Sequence, residues 1–353
     1  MGVKHRLKLV ARGAWSRFVY HSGLHRLIDR IEPRRLTILA GHCVAAPSSS
    51  RLPADMTIEG AKLERILVWA KSRYDVVTVG EGVDALDIGS KRSLFALSMD
   101  DGYVDNRTHL LPLLQKVGVG ATIYVESRPL TERVANWSHK FFAILEHMSP
   151  AEFVLRFTEI SKDTRSNISM NQLVPHDNAT SYHVKRMLKY EVPPAERSRA
   201  IDVMFAEVGG DERALTNRLY MTWDDARALR DAGIEIGGHT VNHEILSRLD
   251  AAGARAEIDG SKRALAAELG LKPRSFAYPF GRRWDWNDET VAITREVGWH
   301  SATTTHAGTN KRGDDRYRLE RIMIDENAEL HVIATFACGG FDFLARFGLD
   351  LAE

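Results

Sequence analysis

Cysteine is scarce in this sequence, long hydrophobic runs are missing, and neither sign of charge is in excess. Cys43 and Cys338 are the two cysteines among 353 residues, and neither belongs to a Cys-x-x-Cys pair. This argues against a disulfide scaffold or a cysteine zinc site and agrees with a reducing compartment. The 48 basic and 47 acidic residues balance, which argues against a nucleic-acid-binding protein, because such proteins usually carry a basic excess.

No run of 18 apolar residues occurs, so no transmembrane helix is predicted. The N-terminus has no clear apolar core followed by a small-residue cleavage site, so no signal peptide is predicted either. We therefore expect a cytoplasmic protein. Its composition, 44% hydrophobic and 27% charged, is typical of a globular chain.

The first 34 residues combine basic charge with a helical spacing of apolar residues. Residues 1–35 contain nine Lys and Arg against two acidic residues, Asp29 and Glu32. This pattern predicts a basic amphipathic helix over 1–34. Such a helix either lies on an anionic membrane, which would make the protein peripheral at the inner membrane surface, or docks on its own domain with a solvated basic face.

From Arg35 onward, short apolar segments alternate with helical patterns. Residues 127–220 interrupt the alternation and predict a largely helical insertion. Alternating strands and helices indicate a parallel sheet, open or closed into a barrel, and chemistry in such folds gathers at the C-terminal ends of the strands. The polar residues predicted at strand ends are His42, Asp100, Asp101, His239 and Tyr278.

Two pairs of polar residues are candidates for a functional site because of their position. Each pair, Asp100–Asp101 and His239/His243, follows a short apolar strand and precedes a loop. The spacing alone is weak evidence, since His21 and His25 show the same interval. One Asp and two His form a suitable first shell for a divalent metal with open positions. Successive side chains of an extended segment point to opposite sides, so we expect one carboxylate on the metal and the other on the attacking water.

At this point the sequence resembles the polysaccharide deacetylases, carbohydrate esterase family 4. The stretches "LSMDDGYVDN", "MTWDDARALRDAGIEIGGHTVNHEIL" and "FAYPFG" are similar to the family's successive motifs. The resemblance runs from about Arg35 to Asp325, interrupted by the insertion. It implies an α/β fold, a (β/α)7-type distorted barrel with parallel strands, and a catalytic domain over 35–353.

The resemblance also implies roles for the motif residues. Asp100 would be the general base, and Asp101, His239 and His243 would hold one divalent ion, usually zinc in this family. The backbone N–H of Phe280 would help to stabilise the oxyanion, with Tyr278 beside it in the same motif.

The sequence departs from the family pattern at several positions. Ala277 stands where the third motif often has an arginine that contacts the base; Arg321 in "LERIMI" is the expected substitute, with a surface salt bridge as the alternative. The late motif that carries the general acid is not evident, and His331 is a weak candidate for it.

His42 is the better candidate for the acid. "LTILAGHCV" resembles the opening strand of a subgroup that includes exopolysaccharide deacetylases, in which an N-terminal histidine takes this role; a structural histidine is the alternative. Trp284 and Trp286 lie in the loop after the third motif. Trp284 is expected either to stack on a sugar ring or to pack in a turn.

These features predict a metal-dependent hydrolase that removes N-acetyl groups from an amino-sugar-containing glycan or glycan precursor, as in exopolysaccharide biosynthesis. Two alternatives remain open at this stage. One is hydrolysis of a small non-peptide amide on the same fold, and the other is a carbohydrate-binding protein with weakened activity.

Overall fold

The computed structural model describes residues 3–44, 56–162, 181–349 and 351. The strands are β1 (Arg35–Gly41), β2 (Cys43–Val44), β3 (Thr57–Ile58), β4 (Asp75–Val76), β5 (Leu94–Met99), β6 (Thr122–Val125), β7 (Glu235–Gly238), β8 (Ser275–Ala277), β9 (Ser301–Thr303), β10 (Asn310–Lys311) and β11 (Ile322–Met323). The α-helices are α1 (Val3–His21), α2 (Leu24–Ile31), α3 (Gly60–Lys71), α4 (Val79–Ile88), α5 (Leu111–Val117), α6 (Ser127–Glu132), α7 (Trp137–Ile144), α8 (Pro150–Lys162), α9 (Ser181–Tyr190), α10 (Pro194–Glu207), α11 (Glu212–Leu219), α12 (Trp223–Asp231), α13 (Ala251–Leu269), α14 (Asp288–Glu296), α15 (Leu330–Ala337) and α16 (Gly340–Ala345).

The main sheet has the order β10-β1-β5-β6-β7-β8-β9, and all neighbours are parallel except the pair β10–β1. The chain after β10 joins the two ends of this sheet. Leu319 bridges Thr303 of β9, and β11 pairs in parallel with β1. The curled, mostly parallel sheet with its helices confirms the predicted (β/α)7-type distorted barrel.

The strands form because short apolar runs are buried on both faces, as expected for a parallel sheet covered by helices. Every residue of β1 and β5 is buried. β7 ends in Gly237 and Gly238, where neighbouring residues of the barrel leave no room for a side chain. A Cβ at Gly237 would lie 2.6 Å from the Ser275 carbonyl oxygen, and one at Gly238 would lie 2.5 Å from the Trp299 ring.

Helices α6 to α11 occupy the described part of the predicted insertion; residues 163–180 lie outside the described ranges. The buried face of α7, with Trp137, Phe141 and Ile144, contributes to a hydrophobic cluster of its own. Tyr103 and Phe280, both from the motif loops, pack against the same cluster. The insertion therefore rests directly on the ends of the barrel strands.

The N-terminal segment contains two helices where the sequence predicted one. The chain bends at Gly23, which has a left-handed φ of 79° between α1 and α2. The indole of Trp15 donates to the Gly340 carbonyl at 3.2 Å, and the Arg12 guanidinium lies 5.1 Å from the Phe336 ring. Helix α1 thus docks on the C-terminal helices. Among the described helices, none is long and apolar enough to cross a bilayer.

Candidate active site

Polar side chains from three strand ends meet at one edge of the barrel. Asp100 directly follows β5, and its N–H donates to the Gly41 carbonyl of β1 at 2.8 Å, which places His42 beside it. His239 directly follows β7, and its N–H donates to Val125 of β6. Parallel register therefore brings together residues that are far apart in the sequence.

Asp101, His239 and His243 form a compact, buried cluster of potential metal ligands. The Asp101 Oδ1 atom lies 3.4 Å from both His239 Nε2 and His243 Nε2, and it is buried without a hydrogen-bond partner. Tetrahedral zinc ligands, each about 2.1 Å from the ion, are about 3.4 Å apart. The residues present therefore fit a divalent cation such as zinc.

The surroundings orient each of these ligands. His239 Nδ1 contacts the Ala277 carbonyl oxygen at 2.8 Å, which leaves Nε2 directed at the cluster. The Tyr103 hydroxyl donates to Asp101 Oδ2 at 2.8 Å, so that Oδ1 stays available. The His243 ring packs edge-on against Phe280, with ring centroids 4.6 Å apart.

The pKa values follow from burial and from the close charges. Burial lowers the pKa of His243 to about 4, against the opposing effect of Asp101, so His243 is neutral near pH 7. Burial also disfavours a charged His239, but the two aspartates outweigh it and raise its pKa. For Asp101, burial is likewise the largest effect, and the close contacts with His239 and His243 overcome it and hold its pKa well below the usual range.

Asp100 is held by a buried arginine. Arg321 donates from its two terminal nitrogens to the two carboxylate oxygens, at 2.7 and 2.8 Å, and from Nε to the Thr304 carbonyl. Burial raises the pKa of Asp100, but the charge of Arg321 outweighs it, with a smaller contribution from His42, and the pKa is lowered. The contact expected between Arg321 and Asp100 is present, and the alternative of a surface salt bridge is wrong, because both side chains are buried.

Backbone strain concentrates at this edge of the barrel. Among the described residues, positive φ at non-glycine positions occurs at Asp101 (71°), Arg133 (57°), Thr240 (66°), His243 (56°) and Phe280 (60°). All but Arg133 belong to the motif loops, and such strain is typical of functional sites. The left-handed turn at Asp101 is also a correction. It means that the two aspartates diverge in a turn, whereas the sequence analysis assumed an extended strand.

The other predicted site residues lie at different distances from the cluster. His42 directly follows β1, whose last residue, Gly41, accepts a hydrogen bond from the Asp100 N–H, and its side chain is half-buried. Phe280 contacts His243 directly. His331 lies on α15 beside Glu329, and the charges of Arg17 and His21 act on it, so it belongs with the N-terminal helices and not with this site.

Tyr278 and Trp284 differ from each other in their surroundings. The Tyr278 side chain is buried in a separate cluster, stacks on Trp286, and donates its hydroxyl to the Tyr317 carbonyl. Its side chain is therefore engaged away from the cluster, contrary to the sequence expectation. Trp284 is 53% exposed, and its indole N–H donates to the Tyr190 hydroxyl at 2.8 Å.

The sequence analysis missed a buried hydrogen-bond chain behind Asp101. Tyr103 contacts His139 Nε2 at 2.6 Å, and the Tyr220 hydroxyl contacts His139 Nδ1. Burial lowers the pKa of His139 to about 3, so the ring is neutral. One tautomer then satisfies the whole chain, with Tyr220 donating to His139, His139 to Tyr103, and Tyr103 to Asp101. His139 and Tyr220 lie in the insertion, where no motif pointed to them.

A sequence model described as polysaccharide deacetylase matches residues 179–302. YxkH of Bacillus subtilis (strain 168), a protein named as a polysaccharide deacetylase, is 24% identical over 112 residues, which are 32% of this chain and 39% of that protein. The aligned region thus covers about two fifths of this curated relative.

Two solved structures share the fold. The Streptococcus pyogenes deacetylase PplD, solved with acetate, has a TM-score of 0.56 at 16% identity, covering 87% of this chain and 99% of that one. IcaB from Ammonifex degensii has a TM-score of 0.52 at 16% identity, covering 87% and 98%. The family match over residues 179–302, the curated relative and the shared fold agree with the motif residues, and the chain is therefore similar to the polysaccharide deacetylases in sequence over that region and in fold.

Proposed function

We propose that this protein is a metal-dependent N-deacetylase acting on an amino-sugar-containing glycan or glycan precursor. The observation that carries the proposal is the convergence of two histidine nitrogens on the unpartnered Asp101 Oδ1, next to the Asp100–Arg321 pair. This arrangement combines a cation site with a separate, positioned carboxylate. Metal-assisted amide hydrolysis needs both.

In the proposed mechanism, Asp101, His239 and His243 would hold a divalent ion such as zinc. When bound, such an ion polarises the acetamide carbonyl and lowers the pKa of water near it. Asp100 takes the proton of the attacking water, and Arg321 keeps that carboxylate ionised and fixed in orientation. The Phe280 N–H donates to the developing oxyanion.

His42 is proposed as the general acid that protonates the leaving amine. Its support is its position after β1, beside Asp100, and its half-buried side chain, which keeps a path to substrate. The same position supports a place in the exopolysaccharide-deacetylase subgroup. Trp284, which is largely exposed, is proposed to contact the sugar, and a cytoplasmic location is proposed for the chemistry.

The first experiment measures metal content and acetate release on the same samples. We expect about one divalent ion per chain, lost in Asp101→Asn and in His239→Ala. Asp100→Asn should keep the ion and lose about 10²–10⁴-fold in acetate release. Asp231→Asn, on an exposed helix end, is the matched control. If wild-type protein purified without chelator contains no metal, the proposal is refuted. If Asp100→Asn loses the metal and Asp101→Asn keeps it, Asp100 is the metal ligand and Asp101 is the general base.

A small amide is the second candidate substrate, because all three proposed metal ligands are buried. The two candidates separate in one screen with metal added, which measures acetate and amine release and, for cyclic imides, the carboxylic acid formed when the ring opens. The glycan arm contains chito-oligosaccharides, peptidoglycan, nucleotide sugars and lipid-linked sugars, and the other arm contains acetylated alkylamines and cyclic imides. Turnover confined to the second arm would replace the glycan with a small amide.

A further inference from the structure

Lys189 of α9 is a buried cation without an ion-pair partner among the described residues. Its side chain is 8% exposed, and Nζ lies 3.5 Å from the centroid of the Phe280 ring and 5.0 Å from that of Tyr190. The aromatic rings offset part of the cost of burying the charge. A buried ammonium without an anion is nevertheless expensive, which makes this position notable.

Asp285, whose charge acts on Lys189, makes its hydrogen bonds to other groups. Its Oδ1 accepts from the Tyr190 hydroxyl and its Oδ2 from the Arg282 N–H, both at 2.9 Å. Burial is the main cause that lowers the pKa of Lys189 to about 7, and the charges of Lys185, Arg282 and Arg197 lower it further against the effect of Asp285. The surroundings of Lys189 are therefore rich in positive charge, although Glu244 pairs with Arg197.

Lys185 lies one turn before Lys189 on α9, and its Nζ is 4.6 Å from the Phe142 ring. Residues four apart on a helix lie on the same face, so Lys185 and Lys189 are neighbours on α9. Phe280 links Lys189 to the metal-ligand cluster, because its ring contacts both His243 and Lys189. Lys189 thus approaches the candidate active site from the insertion side, with Lys185 next to it on the same helix.

We propose that Lys189, together with Lys185, forms a subsite for an anionic group of the substrate, a carboxylate or a phosphate next to the acetylated amino sugar. The inference rests on the proposed deacetylase function and narrows it to acidic or phosphate-linked glycans. An anion placed between the two ammonium groups would supply the partner that Lys189 lacks, and it would relieve the repulsion between like charges one turn apart.

The test compares three acetylated probes on wild type, Lys189→Met and Lys189→Arg. Chitotetraose is neutral, a hyaluronan oligosaccharide carries carboxylates, and UDP-N-acetylglucosamine carries phosphates. We expect wild type to prefer one anionic probe, and Lys189→Met to lower the ratio of kcat/KM for that probe over chitotetraose by about 10-fold or more, as for loss of one charged hydrogen bond. The loss should be in KM. Lys189→Arg should restore most of the ratio, and Lys91→Met, at an exposed position between α4 and β5, is the control.

Binding is also measured without turnover, by titrating the same probes into each protein and following tryptophan fluorescence. This separates the two proposals. If wild type binds an anionic probe through Lys189 but hydrolyses none of the probes, the subsite proposal stands and the deacetylase proposal is refuted. Equal affinity of wild type for all three probes, or a Lys189→Met effect that is the same for neutral and anionic probes, overturns the subsite. The preferred anionic probe identifies the carboxylate or the phosphate.

Discussion

At the scale of single residues, Arg321 shows how a missing motif residue is replaced. The expected arginine position is Ala277, whose backbone carbonyl instead orients His239. Arg321 comes from the segment that joins β9 to β1, and its side chain is fully buried beside Asp100. The sequence predicted this substitution because strand ends converge in a parallel barrel. It did not predict the bidentate geometry, which depends on the Thr304 carbonyl that fixes Nε.

Replacing Arg321 by methionine should destabilise the protein by about 3–5 kcal/mol, because Asp100 would remain as a buried, unpaired carboxylate. The double variant Arg321→Met/Asp100→Asn should recover much of that loss, since no buried charge is left. Urea denaturation of wild type, both single variants and the double variant gives the coupling free energy. Additive losses in the double variant would mean that the pair contributes nothing beyond packing.

At the scale of elements, the insertion supports the active site as well as covering it. Asn136 caps α7 by accepting from the N–H groups of Ser138 and His139, and α7 then presents His139 to the two tyrosines. The helical character of the insertion was predictable from the spacing of Trp137, Phe141 and Ile144. The hydrogen-bond chain was not, because contacts between Tyr103, His139 and Tyr220 join three separate segments and leave no local pattern in the sequence.

The Tyr103 hydroxyl should be worth about 10–100-fold in metal affinity, the usual effect of a group that orients a ligand. Tyr103→Phe removes the donor to Asp101 Oδ2 without changing the ring, and His139→Ala should weaken metal binding in the same direction by releasing Tyr103. Competition with a chromophoric chelator measures the affinity. Tyr74→Phe is the matched control, because Tyr74 is also buried but belongs to a different hydrophobic cluster. If Tyr103→Phe binds metal like the control, Tyr103 does not orient Asp101.

At the scale of the whole molecule, the barrel was predictable and its closure and attachments were only partly so. Alternating apolar strands and helices indicate a parallel sheet without further information. The two-residue strand β10 and the bend at Gly23 were not expected, because pairing over two residues and one left-handed glycine are too short to change a periodic pattern. The N-terminal helices use their inner face, with Arg12, Trp15 and Val19, to dock on the domain.

Docking leaves a second, outward surface on these helices, and we propose that it contacts an anionic membrane. Apolar side chains there remain exposed, namely Val10 (70%), Phe18 (57%), Leu27 (56%) and Ile31 (58%), among arginines that attract acidic lipids by about 1 kcal/mol each.

Wild type should float with phosphatidylcholine vesicles that contain phosphatidylserine, and should not float with phosphatidylcholine alone. Phe18→Asp and Leu27→Asp should lose this binding, because each places a negative charge at the interface. Ile88→Asp, at an even more exposed position on α4 (85%), should retain it. Identical flotation of all four proteins would reject the membrane surface.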